Sequence, residues 1–461
     1  QAILQLQDCL PMCAGLLSSL ALVPPMEQSS PPQSSTKELL RRIAPLLAHQ
    51  FSMLTISLLT LQPRAQLFME ALSGDTMEVA KYINRGTTLV GLLELFLNPS
   101  LGALSDRIGR KPIMLLAPAL VLPLKVAVVL RPSAVVLLWD KVLSDMLRTM
   151  GGTTMAYICY ADLYQGEGDA RTVAELNTTA SALGIVAAPL LSATLLRNRG
   201  PRFAYAVSAA IAGVHVVLAH RFLKETLHCR APSEGELVSA GGPFGTNGRS
   251  RQSPILTPVW EFARLFTTNA RLRLRAWLFT LHCCLEGKIL QDQVSILQLG
   301  AGWAAELRSR WTAGFGFAMC LGGMLMQPLK RSLGEHGALS ACHAASLLSL
   351  LALQQSRFWA ALVPVVLAQQ RRAASHAWLS VETCRIEQGR GRVVGMIASL
   401  RAVVDALTAM LYQRAYSAAV SKGNPFNIFL LPMVIAGLTE ILRLRVARDR
   451  DVRLANGSER P

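Results

Sequence analysis

Residues 83–130 read INRGTTLVGLLELFLNPSLGALSDRIGRKPIMLLAPALVLPLKVAVVL: two long apolar runs joined by GALSDRIGRKP at 102–112. A helix needs about 20 apolar residues to cross a bilayer at 1.5 Å per residue, and each run is long enough. The join must turn the chain tightly, which suits the freedom of Gly102 and Gly109. Pro112 fits the first turn of a following helix. Asp106 falls at a membrane edge, where a carboxylate needs a cation or a helix N-terminus. A basic loop that only sets topology would carry the same charges, but it has no need of this glycine and aspartate spacing.

The pattern repeats outward from this stretch. Spans are expected near 43–62, 83–104, 113–130, 134–160, 172–196 and 202–223, then near 274–298, 309–328, 338–355, 358–381, 393–414 and 426–444. The 461 residues are 51% apolar and 16% charged, with mean hydropathy +0.35. Soluble chains average about 25% charge, so soluble, disordered and coiled-coil classes are excluded. The fold class read here is an all-α polytopic membrane protein, with twelve transmembrane helices in two six-helix bundles. A leader occupies 1–36, with Met26 the expected start of translation. The first bundle takes 37–227, a polar linker 228–270, the second bundle 271–446 and a basic tail 447–461.

The net charge of +17 is spread along the chain and not gathered in one domain, so a nucleic-acid partner is not expected. Lys and Arg concentrate in one set of alternate loops, which places both termini in the cytosol. The nine Cys lack metal-finger spacing and sit mostly in apolar segments, as small core residues do. The sequence has no P-loop G-x-x-x-x-G-K-[ST], no H-E-x-x-H and no dinucleotide-binding glycine fingerprint, so neither ATP-driven transport nor an enzyme is expected.

Gly102, Asp106, Arg107, Gly109, Arg110 and Lys111 resemble the loop signature G-x-x-x-D-R-x-G-R-K of the major facilitator superfamily. Arg148-x3-Gly152-x3-Ala156 resembles its second motif. Phe222-Leu-Lys-Glu225-Thr226-Leu227 is similar to the sixth-span ending of twelve-span drug:proton antiporters, tetracycline exporters included, and of some sugar porters. Gly184-x3-Ala188-Pro189 departs from the antiporter pattern G-x-x-x-G-P by one alanine. The resemblance implies alternating access, with Asp106 as a latch beside Arg107, Arg110 and Lys111 that docks near Gly391–Gly395. It implies proton-coupled export of a small organic solute by a monomer in the bilayer, driven by a proton gradient without a cofactor. A nutrient symporter or uniporter, or a transport-inactive receptor, remains the alternative. A degraded second copy of the signature is expected between spans eight and nine, at Gly323 and Lys330-Arg331.

Charges within spans call for partners, at about 2.5–3.5 kcal/mol each on insertion scales. Lys141, Asp145 and Arg148 share a face at helical spacing beside Asp140, and Arg148, Gly152 and Ala156 continue it. By resemblance, Arg148 assists proton movement. His282 and Glu286 lie four apart, a reasonable proton carrier or a packed pair; Lys288 and Asp292 repeat the spacing. Arg401 and Asp405 read as an internal ion pair. Adjacent Arg371 and Arg372 point about 100° apart. One is expected to line the cavity and the other to reach a carboxylate such as Asp405, unless the two mark a break in the tenth span. Gly152, Gly184 and Pro189 are expected at close helix contacts.

Overall fold

A computed structural model describes residues 36–163, 167–226, 262–285, 288–386 and 390–455. The expected leader, most of the linker, the end of the tail and Glu286 lie outside the described residues. So do the side chains of Asp106, Arg107, Lys288 and 390–394, and the surroundings of Gly102.

The chain is helical throughout the described residues. The first pass, α1, runs Thr36–Leu59 and resumes Leu61–Ala71. Then come α2 (Thr76–Ile108) and α3 (Arg110–Leu130). The fourth, α4, runs Ala134–Leu147, through a π turn Arg148–Thr154, to Met155–Leu163. Next are α5 (Glu167–Arg199) and α6 (Pro201–Phe222). The seventh, α7, runs Ala270–Cys284 and Lys288–Gly300. The stretch Ala305–Gln354 is divided at Gly334 into α8 and α9. The tenth, α10, runs Phe358–Ala368 and Arg371–Ile386. Last are α11 (Arg390–Ser421) and α12 (Leu430–Ala455). Along the described residues these stretches follow the order of the expected spans. Seven stretches are long and apolar enough to cross a membrane by length and composition. Most helices outrun the expected spans, because polar residues at their ends stay helical: α2 begins at Thr76 and α12 reaches Ala455.

The starts are written locally. Asp75 accepts from the Met77 and Glu78 amides, capping α2. Ser133 caps α4, Asn269 caps α7, and Gly200-Pro201 puts proline at the first turn of α6. Gly109 and Gly334 both hold positive φ with extended ψ (102° and 161°; 70° and 172°), a turn between abutting helices that favours glycine. The turn between α8 and α9 thus matches Gly334 to Gly109. The expected pairing of Gly323 and Lys330-Arg331 with Gly102 and Asp106-Arg107 is shifted, because the turn geometry sets the register.

With an even number of passes, Thr36 and Ala455 lie at one end of the bundle, here the termini end; the opposite is the far end. At the far end one apolar core joins both halves, Leu67, Phe68, Val79 and Ala80 with Val294, Leu297, Trp311 and Phe358. Toward the termini end the larger described cores lie one in each half, although Leu95 and Ala402 still meet across the seam. Ile43, Met114, Tyr160 and Val173 form a core in the first half, and Leu272, Phe279, Leu379 and Met396 one in the second. The halves meet along α2 with α11 and α5 with α8. A Cβ at Gly91 would lie 2.6 Å from the Ala402 carbonyl oxygen, and one at Gly316 would lie 3.0 Å from that of Ile185. Outward, Val434, Leu438 and Ile441 of α12 and Val214, Val217 and Leu218 of α6 are exposed stripes at helical spacing, the surface lipid would cover.

Candidate functional site: a charged knot at the far-end closure

Four passes break at mid-length: α1 at Thr60, α4 at Arg148–Thr154, α7 at Leu285 and α10 at Gln369-Gln370. They are the first helices of four successive triplets, the arrangement of nested three-helix repeats. Local sequence explains two of the breaks. Pro63 has no amide to donate back to the turn at Thr60. Gly151-Gly152-Thr153-Thr154 is poor in helix formers. The second reading of α10 holds: Arg371 and Arg372 follow a break.

Beside the breaks of α1 and α4 lies a knot of charge. Asp140 is fully buried. Its carboxylate takes Lys125 Nζ at 2.8 Å, Arg64 at 3.1 Å, the Tyr205 hydroxyl at 2.9 Å and the Ser144 hydroxyl at 3.0 Å. Every one of these partners belongs to the first half. Lys141, the next residue, turns the other way. Its Nζ lies 3.0 Å from Asp292 of α7 and 3.7 Å from Asp145. Asp292 also accepts from Thr87 of α2 at 3.0 Å. Asp145 further meets Arg64 at 3.9 Å and Ser57 at 3.5 Å. Three cations (Arg64, Lys125, Lys141) face three carboxylates (Asp140, Asp145, Asp292), so the knot is neutral. A shallow cleft at its edge is lined by Leu61, Arg64, Ala65, Ile83, Lys141, Asp292 and Ser295, residues of both halves.

Other expected residues are placed differently. Arg148 makes no ion pair among the described residues and its Nε is buried without a partner. Its own amide still bonds the Ser144 and Asp145 carbonyls in regular helix, and Asp145 is met instead by Arg64 and Lys141. Gly152 faces Gln50 and Met53 of α1, but the tighter contact belongs to its neighbour Gly151, whose Cβ would strike the Ala117 side chain of α3. A Cβ at Gly184 would lie 3.1 Å from the Leu54 side chain, and Pro189 is buried within α5. His282 meets His343 of α9 at 3.1 Å, and His343 lies 3.8 Å from Glu440. Arg371 is buried and donates to the Leu285 carbonyl at 3.2 Å, beside the break in α7. Arg372 is half-buried. Arg401 and Asp405 form their pair at 3.5 Å.

The signature turn is tied within the first half. The Glu225 carboxylate accepts from the Arg110 and Lys111 amides at 2.8 and 3.1 Å, capping α3 from the end of α6. The Arg110 side chain donates to Asp162 at 3.1 Å and to Ser105. Lys111 Nζ donates to the His220 carbonyl at 2.8 Å. Sequence reasoning missed Arg64 because Gln62-Pro63 reads as the end of a span, whereas α1 resumes and carries it. It gave Lys125 no partner and paired Asp292 with Lys288, since cross-helix partners have no sequence spacing.

No family model matches the chain, and no curated protein sequence does. Solved structures do. The human organic anion transporter MFSD10 (TETRAN) aligns with TM-score 0.54 at 18% identity, over 90% of this chain and 100% of that one. The nucleoside transporter NupG aligns at 0.60 and 9%, over 88% and 98%. The peptide transporter POT in complex with sulfate aligns at 0.61 and 15%, over 93% and 96%. The chain has the major facilitator fold. Identities this low speak to the fold alone. Within that fold the knot sits where the two bundles close on each other, and the cores separate below it.

Proposed function

We propose that the protein is a secondary transporter moving a small organic solute across its membrane by alternating access, as proton-coupled export. The observation that carries this reading is the Lys141–Asp292 bridge at 3.0 Å, set in a far-end core shared by both halves above cores that part. A closure that includes a buried ion pair between bundles can serve as a switch, because Lys141 has a second partner at hand. When the far end opens, Lys141 keeps Asp145 beside it while Asp292 is released to water. With both termini placed in the cytosol by the Lys and Arg distribution, the closed far end would face outward. Asp106 would then be the catch for the opposite state. The direction and the proton rest on the signature and on the α6 ending. The three transporters that share the fold support a small organic solute.

Reconstitution tests the reading. Vesicles are screened with organic anions, nucleosides, peptides and cationic drugs, with and without an imposed pH gradient. Accumulation that follows the gradient in the antiport sense supports it. Uptake in the symport sense removes export and keeps transport. No solute moving under either condition sinks the transporter reading.

A further inference from the structure

One buried cation stands outside every network. Among the described residues, Arg64, Lys125 and Lys141 are paired in the knot, Arg110 with Asp162 and Arg443 with Glu440. Arg371 donates to a carbonyl. Arg308, one turn into α8 near the far end, is 1% exposed, and its Nε and Nη1 have no partner. The acid two residues before it, Glu306, is turned outward to Arg310 at 2.5 Å. An arginine cannot shed its charge as a lysine can, so a buried unpaired one demands an anion.

The neighbours are donors that also lack partners. Ser309 Oγ and both side-chain atoms of Gln298 are buried and unbonded, each residue 0% exposed. Register brings these groups to one place. Gln62 of α1 donates to Thr312 at 3.2 Å and accepts from Ser295 at 3.1 Å. Arg308 and Ser309 lie one turn before Thr312 on a common arc of about 100°, and Gln298 lies one turn beyond Ser295. Both faces therefore converge past Gln62, across the tight turn between α7 and α8. A guanidinium, an amide and a hydroxyl offered together match the oxygens of a carboxylate, sulfate or phosphate.

We infer that Arg308, Gln298 and Ser309 form an anion-recognition site at the far end of the translocation path, and that the solute carries a carboxylate, sulfate or phosphate group. This rests on the transport reading and deepens it. The neutral knot next to it leaves the solute's charge to be met by Arg308. In the state described the site is closed over; parting the far end would open it to the outside.

The test uses the purified full-length protein, melted at matched ionic strength in chloride. The probes are benzoate, succinate, sulfate and inorganic phosphate, with neutral benzamide as control. Parallel melts use nanodiscs of phosphatidylcholine with or without phosphatidylglycerol. At least one soluble anion should raise the Tm while benzamide does not. Arg308→Met should lose that rise, yet melt no lower than the parent without anion, since it removes an unpaired buried charge. Arg308→Lys should keep part of the rise. Gln298→Ala and Ser309→Ala should each weaken the response several-fold, and they decide the matter if Arg308→Met does not fold. The site is overturned if no anion shifts the parent, or if Arg308→Met keeps the shift. It is also overturned if that variant melts lower than the parent without anion, or if phosphatidylglycerol alone stabilises. Solute transport at the parent rate by Arg308→Met would sink the site and leave the transport reading standing.

Discussion

Asp140 and Lys141 are neighbours in the chain with opposite employments. Asp140 gathers Lys125, Arg64, Tyr205 and Ser144, all from one bundle, so nothing about it changes when the bundles move apart. Lys141 reaches across the boundary to Asp292 and has Asp145 in reserve. A helix turns about 100° per residue, which is enough to send one charge into a rigid half and the next into a seam. The difference separates charge paired within a bundle from charge paired across the seam, which the proposed cycle would use to shut one end.

Breaking the rigid side should cost most. Asp140→Ala leaves Lys125 and Arg64 buried without their main carboxylate, a loss of about 3–5 kcal/mol. Recovery of monodisperse protein after extraction should collapse; near-parental recovery would show that the knot is not structural. The seam should respond differently. Asp292→Asn should leave recovery close to the parent but expose the far end. A Cys replacing Ser295 should then be labelled by an impermeant maleimide several-fold faster, and the exchange Lys141→Asp with Asp292→Lys should restore slow labelling. Unchanged labelling in Asp292→Asn would remove the bridge as a closure.

Smaller effects sharpen the contrast. Gly91→Leu puts a side chain against the Ala402 carbonyl at the α2–α11 seam, an overpacking cost of about 1–3 kcal/mol. It should slow transport more than it lowers Tm, whereas Gly151→Leu, between α3 and α4 inside one half, should chiefly lower Tm. Asp106→Asn should slow transport in vesicles with expression intact; an unchanged rate would remove the latch. Arg401→Gln should move Tm least, because its pair with Asp405 is partly exposed, 39% and 25%, and such pairs contribute about 0–1 kcal/mol.

The helix count was legible because apolar length is a local property, and the tight turn at Gly109 because it needs a residue without Cβ. The i,i+4 partnership of Lys141 with Asp145 and that of Arg401 with Asp405 were legible for the same reason. The rest was hidden by distance along the chain. Arg64 and Asp140 are 76 residues apart, Lys141 and Asp292 151, and no periodicity links such pairs. Local spacing also misled at Arg148, because Asp145 is met by Arg64 from α1 and by Lys141 instead. At Arg371 the break in α10 lets the side chain serve the interrupted backbone of α7.

Those interruptions have a mechanical meaning. A straight rod spanning the bilayer can only tilt, so sealing one mouth must pry open the other by the same angle. Rods jointed at mid-depth in α1, α4, α7 and α10 can flex at the elbow, and their upper and lower arms can then close in sequence. In the proposed cycle such a molecule would pass through an occluded stage with both mouths shut around its cargo, and no continuous leak would accompany the exchange.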